Sequence, residues 1–254
     1  MASVTQRIGQ VRQPYGGYIK PSEFQKIQLE DNTSLNPQEN IPASLVGLTV
    51  DYMSRFMQCG NVMKAFEISC MGAVIARKQS VAEKLLRSIQ GLDDVSIISA
   101  CKLASFDVWY RNPLDAMLSA GYEYINPDRE TIENIYDMIM RTQSFINKYG
   151  PVVVNGFTFE NSGYTEVVSS GDGDFLTRDT LWDMKVLRSK LTSKHTLQLL
   201  MYWIMGKHSG QKIFKSINKL GVFNPRMNIV YLLETKNILQ SIIREVENKV
   251  ICYQ

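Results

Sequence analysis

From Ile41 to about Arg111 the apolar residues recur at helical spacing. Leu45, Leu48, Tyr52, Met53 and Phe56 fall three and four residues apart, which places them on one helix face. Gly60 and Asn61 break that stripe, and Val62, Phe66, Cys70, Val74 and Ile75 carry the next. Ser80 with Glu83 has the spacing of a capping box opening a helix over residues 81–89. Asp93 or Asp94 caps a further helix through Ser105, with Ile97, Ile98, Cys101 and Leu103 on its apolar side. Asn126 then offers a side-chain cap and Pro127 a first-turn residue. Ile132, Ile135, Tyr136, Ile139 and Ile146 continue that helix to Gly150, a helix-ending glycine.

After Gly150 the pattern changes. Residues 152–159 are strand-like, Asn161-Ser162-Gly163 is a turn, and residues 164–169 form a second strand. Residues 173–176 and 181–186 are two more, separated by the turn Thr177-Arg178-Asp179. Thr192 or Ser193 caps a helix over residues 197–205. Residues 229–233 are an apolar strand, and residues 239–250 a closing amphipathic helix with Ile242, Ile243, Val246 and Val250 inward. Residues 1–40 hold Gln, Gly, Pro, Asn and Ser with few clustered apolar side chains, which predicts an extended arm with breaks at Tyr15-Gly16-Gly17 and Asn36-Pro37. The fold class is therefore α+β: an arm (1–40), an all-helical region (41–125), and a core of a small mixed sheet flanked by helices (126–254).

Composition narrows the class. The chain has 254 residues, 44% hydrophobic and 21% charged, which excludes disordered, collagen-like and coiled-coil proteins. No apolar run reaches the ~18 residues a membrane span needs. The N-terminus has no apolar secretory segment. Cys59, Cys70, Cys101 and Cys252 lie too far apart for a zinc motif or a disulfide framework, which points to a reducing cytoplasm. The net charge of +3 says little by itself, but its distribution says more. Residues 184–233 contain no Asp or Glu and nine basic side chains: Lys185, Arg188, Lys190, Lys194, Lys207, Lys212, Lys215, Lys219 and Arg226. A phosphate-tracking surface requires such asymmetry.

That run begins beside a carboxylate cluster. Gly171-Asp172-Gly173-Asp174 is followed nine residues after Asp174 by Asp183-Met184-Lys185. Period-two geometry puts Asp183 and Lys185 on one strand face, and a hairpin brings Asp174 beside Asp183. Two close carboxylates repel unless a cation lies between them. Oxygen ligands suit Mg²⁺ or Mn²⁺. Such an ion lowers the pKa of a bound water and neutralises phosphoryl charge. A neighbouring lysine can orient that water and stabilise developing negative charge. These parts together suit phosphodiester hydrolysis.

The series Gly171-x-x-Asp174, Asp183-x-Lys185, then Gln198-x-x-x-Tyr202 on the following helix resembles the PD-(D/E)XK nuclease superfamily, in its RecB-like branch. The segment Leu220–Arg226, leading into a strand, resembles the family's region after that helix. The likeness covers about residues 128–235. It implies a metal-dependent nuclease core, with Asp174, Asp183 and the Met184 carbonyl as ligands of Mg²⁺ or Mn²⁺. It implies Lys185 as the catalytic lysine, and Gln198 and Tyr202 facing the site. Many family members add an acidic residue or a histidine from the preceding helix; Glu133 is the first candidate and Asp137 the second, with Glu160 and Glu166 as strand-borne competitors. Arg188, Lys190, Lys194 and His195 are candidate nucleic-acid contacts. Only Cys252 follows the motifs, so no iron–sulfur cluster is expected. Val186-Leu187-Arg188 replaces the small residues that often follow the family's lysine, which bears on substrate handling. The partner implied is nucleic acid, DNA first, with no membrane, in the cytoplasm of a bacterial or phage-infected cell. The alternative is a catalytically silent nuclease-like module that binds nucleic acid or a protein, the helical first half being the surface for a protein partner.

Overall fold

Two units divide the chain: residues 1–30 with 145–254, and residues 31–144. The computed structural model describes every residue except Asn32, Ser119, Ala120, Asn161 and Gln254. Asn161, in the expected turn, therefore lies outside the described residues. In chain order the elements are β1 (Ala2–Ser3), α1 (Val4–Gln10), β2 (Gln25–Gln28), α2 (Ala43–Cys59), α3 (Val62–Ala65), α4 (Glu67–Ile75), α5 (Gln79–Ser88), α6 (Asp94–Ala104), α7 (Asp107–Arg111), α8 (Pro113–Ala116), α9 (Arg129–Tyr149), β3 (Val154–Phe157), β4 (Val168–Ser170), β5 (Gly173–Leu176), β6 (Thr180–Met184), α10 (Ser193–His208), β7 (Lys219–Asn224), β8 (Ile229–Glu234) and α11 (Gln240–Glu245). The chain is α+β.

The unit of residues 31–144 is helical, as its 3.6-residue period predicts. Gly60 ends α2 in the left-handed conformation, and Asn61 caps α3 by accepting from the Lys64 amide. The next stripe is broken at Phe66 into α3 and α4. Asp93, not Asp94, caps α6 through the Ser96 amide at 3.0 Å. Two expected caps are corrected. Ser80 and Glu83 form no capping box: the amides of Val81 and Ala82 bond the Lys78 carbonyl, so α5 has already begun. Asp128, not Asn126, caps α9, accepting from Thr131 at 2.9 Å, and Pro127 precedes the helix.

The other unit is built on a sheet ordered β2-β8-β7-β6-β5-β3. β3, β5 and β6 are successive antiparallel neighbours. α10 carries the chain over to β7, which runs parallel to β6. On one face Leu181, Val222 and Tyr231 pack in a core with Leu197, Leu200 and Tyr202 of α10. On the other, Phe175, Trp182, Phe223 and Val230 surround Phe145 from the end of α9. The Phe145 ring stacks on Phe223 at 4.2 Å and meets Trp182 edge-on at 4.8 Å.

The expected arm is two things. Residues 1–30 belong to the sheet unit: β2 is an edge strand on β8, β1 pairs with β4, and Val4, Ile8, Ile19 and Phe24 are buried. Residues 31–40 belong to the helical unit, where Asn36 and Asn40 bond Asn134 and Thr131 of α9. The arm's apolar residues are scattered singly among polar ones and carry no period, so burial left no pattern to read. The boundary expected at residue 125 lies instead inside α9, between Ser144 and Phe145. β7 emerges as a central strand, and the closing helix is α11 followed by wider π-type turns over Val246–Ile251.

Gly221 of β7 lies opposite Trp182, and a Cβ there would meet the indole at 2.3 Å. Gly221→Ala is therefore expected to lower stability by about 1–3 kcal/mol through overpacking. Urea unfolding checks this; an unchanged midpoint would mean that the ring moves aside at no cost.

Candidate active site

Thr177 donates its amide to the Thr180 carbonyl at 3.0 Å, closing the turn between β5 and β6. The hairpin pairs Phe175 with Trp182 and Leu176 with Leu181. One further step of that register sets Asp174 opposite Asp183 on the face that α10 covers, where opposed Cβ atoms are about 4.5–5.5 Å apart. Gly173 is needed beside Asp174, because the Phe157 ring lies where a Cβ would be, 2.0 Å away.

Asp183 is 2% exposed, and its Oδ1 pairs with Lys185 Nζ at 3.0 Å. Asp174 Oδ2 accepts from the Met184 amide at 2.6 Å. In an extended strand the N–H and C=O of one residue point to the same side, so the Met184 carbonyl faces β5 as well. Two carboxylates and a main-chain carbonyl are hard oxygen donors, which fit Mg²⁺ or Mn²⁺ rather than a soft metal. Among the described residues no three His, Cys, Asp or Glu side chains converge on one point. A cation here would complete its shell with water and substrate oxygens.

α10 brings the helix-borne pair to the same place. Thr192 caps the helix. Gln198 Nε2 donates to Tyr202 Oη at 2.8 Å. Burial, then the charges of Asp183, Asp174 and Asp172, hold the Tyr202 phenol well above its usual range. Tyr202 is therefore neutral, near all three carboxylates, and keeps a hydroxyl proton to donate. The charge of Asp172 thus acts on Tyr202 beside those of Asp183 and Asp174.

His195 Nδ1 accepts from the Thr192 amide at 3.1 Å, which puts the proton of the neutral ring on Nε2. Burial and the nearby Lys185 charge push its pKa below 6.5. The folded value is lower than the unfolded one. The stability this holds is complete above about pH 6.5 and is lost as pH falls below it. Between about pH 7.5 and about pH 5.5, Tm is expected to fall further for the wild type than for His195→Gln. Equal falls would refute the assignment.

The basic run is not one surface. Lys219 begins β7 and pairs with Asp179 at 2.8 Å, and Lys207, near the end of α10, lies over the Trp203 ring. Lys207 is about 20 Å along the helix from Lys194. Lys185, Arg188, Lys190, Lys194 and Arg226 instead share the carboxylate end, where β6 and β7 finish and α10 starts. There Asn224 bonds both the amide and the carbonyl of Leu187 (3.3 and 2.9 Å) and the Arg226 amide (3.1 Å). Asn224 fixes the loop that leaves Lys185. Sequence reading missed it, because Asn-Pro signals only a turn.

Glu133 lies in the unit of residues 31–144. It accepts from Arg129 at 2.9 Å and Asn36 at 3.2 Å, and both hold its carboxyl below the usual range. Asp137 is in the same unit, its carboxyl raised by burial. Glu160 and Glu166 are exposed between β3 and β4.

No family model, curated protein or solved structure matches this chain. Among the described residues no helix is long and apolar enough to cross a membrane.

Proposed function

We propose that the chain is a metal-dependent nuclease of PD-(D/E)XK type, hydrolysing phosphodiester bonds, with DNA the first substrate to test. One observation carries the reading. A buried aspartate faces a second aspartate across a hairpin, holds a lysine amine at 3.0 Å, and shares its electrostatic field with the Gln–Tyr pair of the next helix. The three antiparallel strands, covering helix and parallel strand around that point support a core of this kind.

Asp174, Asp183 and the Met184 carbonyl would hold Mg²⁺ or Mn²⁺. When bound, the ion would lower the pKa of water and neutralise charge on the phosphoryl group. Lys185 orients the attacking water and meets the charge that develops on phosphorus oxygens. Tyr202 donates its hydroxyl proton to a phosphate oxygen, and Gln198 fixes the direction of that bond. Arg188, Lys190 and Lys194 meet the flanking backbone as cations, and His195 meets it as a neutral donor. Linear and plasmid DNA are expected to be degraded with Mg²⁺ or Mn²⁺ and to survive in EDTA.

A second reading is a nuclease-like module that binds nucleic acid without cleaving it. Oligonucleotide binding with no cleavage under either metal would select it.

A further inference from the structure

The first 30 residues add a groove as well as a strand. It measures about 600 Å³ and is lined by Lys20, Phe24, Lys26, Lys190, Leu191 and Tyr231, with no acidic residue in its wall. Sites for drug-sized ligands span roughly 300–1,000 Å³. Phe24 and Tyr231 form a buried apolar floor, and the three lysines are exposed at the rim. The Tyr15-Gly16-Gly17 turn borders it: Gly16 lines the groove, and the Tyr15 ring beside it is fully exposed.

Strand register relates this groove to the carboxylates. Lys26 pairs with Tyr231, Tyr231 with Val222, and Val222 with Asp183. Directly opposed residues share a sheet face, so one row runs from Lys26 to Asp183 and on to Asp174. At about 4.8 Å per strand, Tyr231 is about 10 Å from Asp183 along the row and Lys26 about 14 Å. A basic rim over an apolar floor, with an aromatic ring at the edge, suits a strand whose phosphates meet lysines and whose base leaves water. A duplex would have to unpair a base to enter.

We propose that this groove binds a nucleotide of single-stranded nucleic acid, with its base on the Phe24, Leu191 and Tyr231 floor under Tyr15 and its phosphates on Lys20, Lys26 and Lys190. Its place beside a scissile bond rests on the nuclease reading; binding of the strand does not.

The test is anisotropy of a labelled oligo-dT with the full chain in EDTA, over a salt series. Lys20→Ala/Lys26→Ala is expected to weaken binding about tenfold at low salt. The slope of log affinity against log salt should fall by about 1.4, about 0.7 for each phosphate lost. Tyr15→Ala should weaken oligo-dT binding about tenfold and leave duplex binding unchanged. An unchanged slope in the double variant overturns the inference, as does an equal loss of binding to polyglutamate. The two readings fail separately. A wild type that binds oligo-dT through these residues and cuts nothing with Mg²⁺ or Mn²⁺ refutes the nuclease and supports the groove. DNA degradation at the wild-type rate with Tyr15, Lys20 and Lys26 all replaced by alanine refutes the groove and leaves the nuclease standing.

Discussion

Lys185→Ala and Asp183→Asn are each expected to reduce metal-dependent DNA cleavage by about 10²–10³-fold, the range seen when one preorganised charge or donor is removed from a transition state. The two act on different parts. On the proposed reading Asp183, buried on the sheet face, would supply a ligand oxygen, so its loss would weaken metal binding. Lys185 would supply the amine, and its loss would leave the proposed ligands in place. Thermal denaturation in EDTA and in Mn²⁺ separates them. In EDTA, Lys185→Ala removes an amine held 3.0 Å from a buried carboxylate, and is expected to lower Tm. Mn²⁺ then raises Tm more in Lys185→Ala than in the wild type, because the cation takes over the compensation of that carboxylate. In Asp183→Asn the Mn²⁺ response shrinks. Full cleavage by Lys185→Ala would end the catalytic assignment of this lysine, whatever the metal does.

The proximity of the candidate side chains was more legible in the sequence than the fold around them, and the reason is physical. Asp174, Asp183 and Lys185 lie within one hairpin, and local pairing rules fix which residues are opposed. Gln198 and Tyr202 are one helical turn apart, so their contact follows from the 3.6-residue period. Neither needed long-range information to be brought together. β7 did. Its six residues are central in the sheet and buried from Leu220 to Asn224, yet a short apolar run with a glycine in it has no period to separate strand from loop. Lys219 is held to Asp179 across 40 positions of sequence, which no local pattern predicts. The first 30 residues are the clearest case. Phe24 and Lys26, two residues apart, fall on one face as a strand's period of two requires, but β2 is four residues long and exists because β8 offers an edge. The groove it completes was invisible for the same reason. The nine-lysine-and-arginine run misled in the opposite direction. Sequence adjacency suggested one surface, but a sixteen-residue helix carries the chain from Lys194 to Lys207 at its far end, and only Arg226, after β7, returns to the carboxylate end.

Asp107→Ala is expected to lower the stability of the helical unit by about 3–5 kcal/mol, the largest loss from any single substitution considered for that unit. Asp107 is 2% exposed and opens α7. Its Oδ2 accepts from Tyr52 Oη of α2 at 2.6 Å and from Arg111 Nε at 3.2 Å, and its Oδ1 accepts from Ser69 Oγ of α4 at 2.6 Å. One carboxylate thus joins three helices, and alanine would leave two buried hydroxyls without an acceptor at about 1–3 kcal/mol each. Burial and then the Asp107 charge push the Tyr52 phenol far above its usual range, so it stays a donor at every accessible pH. Asp107→Asn keeps an acceptor oxygen and the shape, and should recover much of the loss. The backbone makes the geometry rigid. Gly72 of α4 lies so close to the Phe106 carbonyl that a Cβ would come within 1.9 Å of its oxygen, and this approach is what lets Ser69 reach Asp107. Gly72→Ala should therefore destabilise the unit through the same cluster, and its effect should be less than additive with Asp107→Ala, because each substitution separates the same two helices. Urea unfolding of both single variants and the double variant reads this directly. Strict additivity would mean that the hydrogen bonds and the close helix contact act independently.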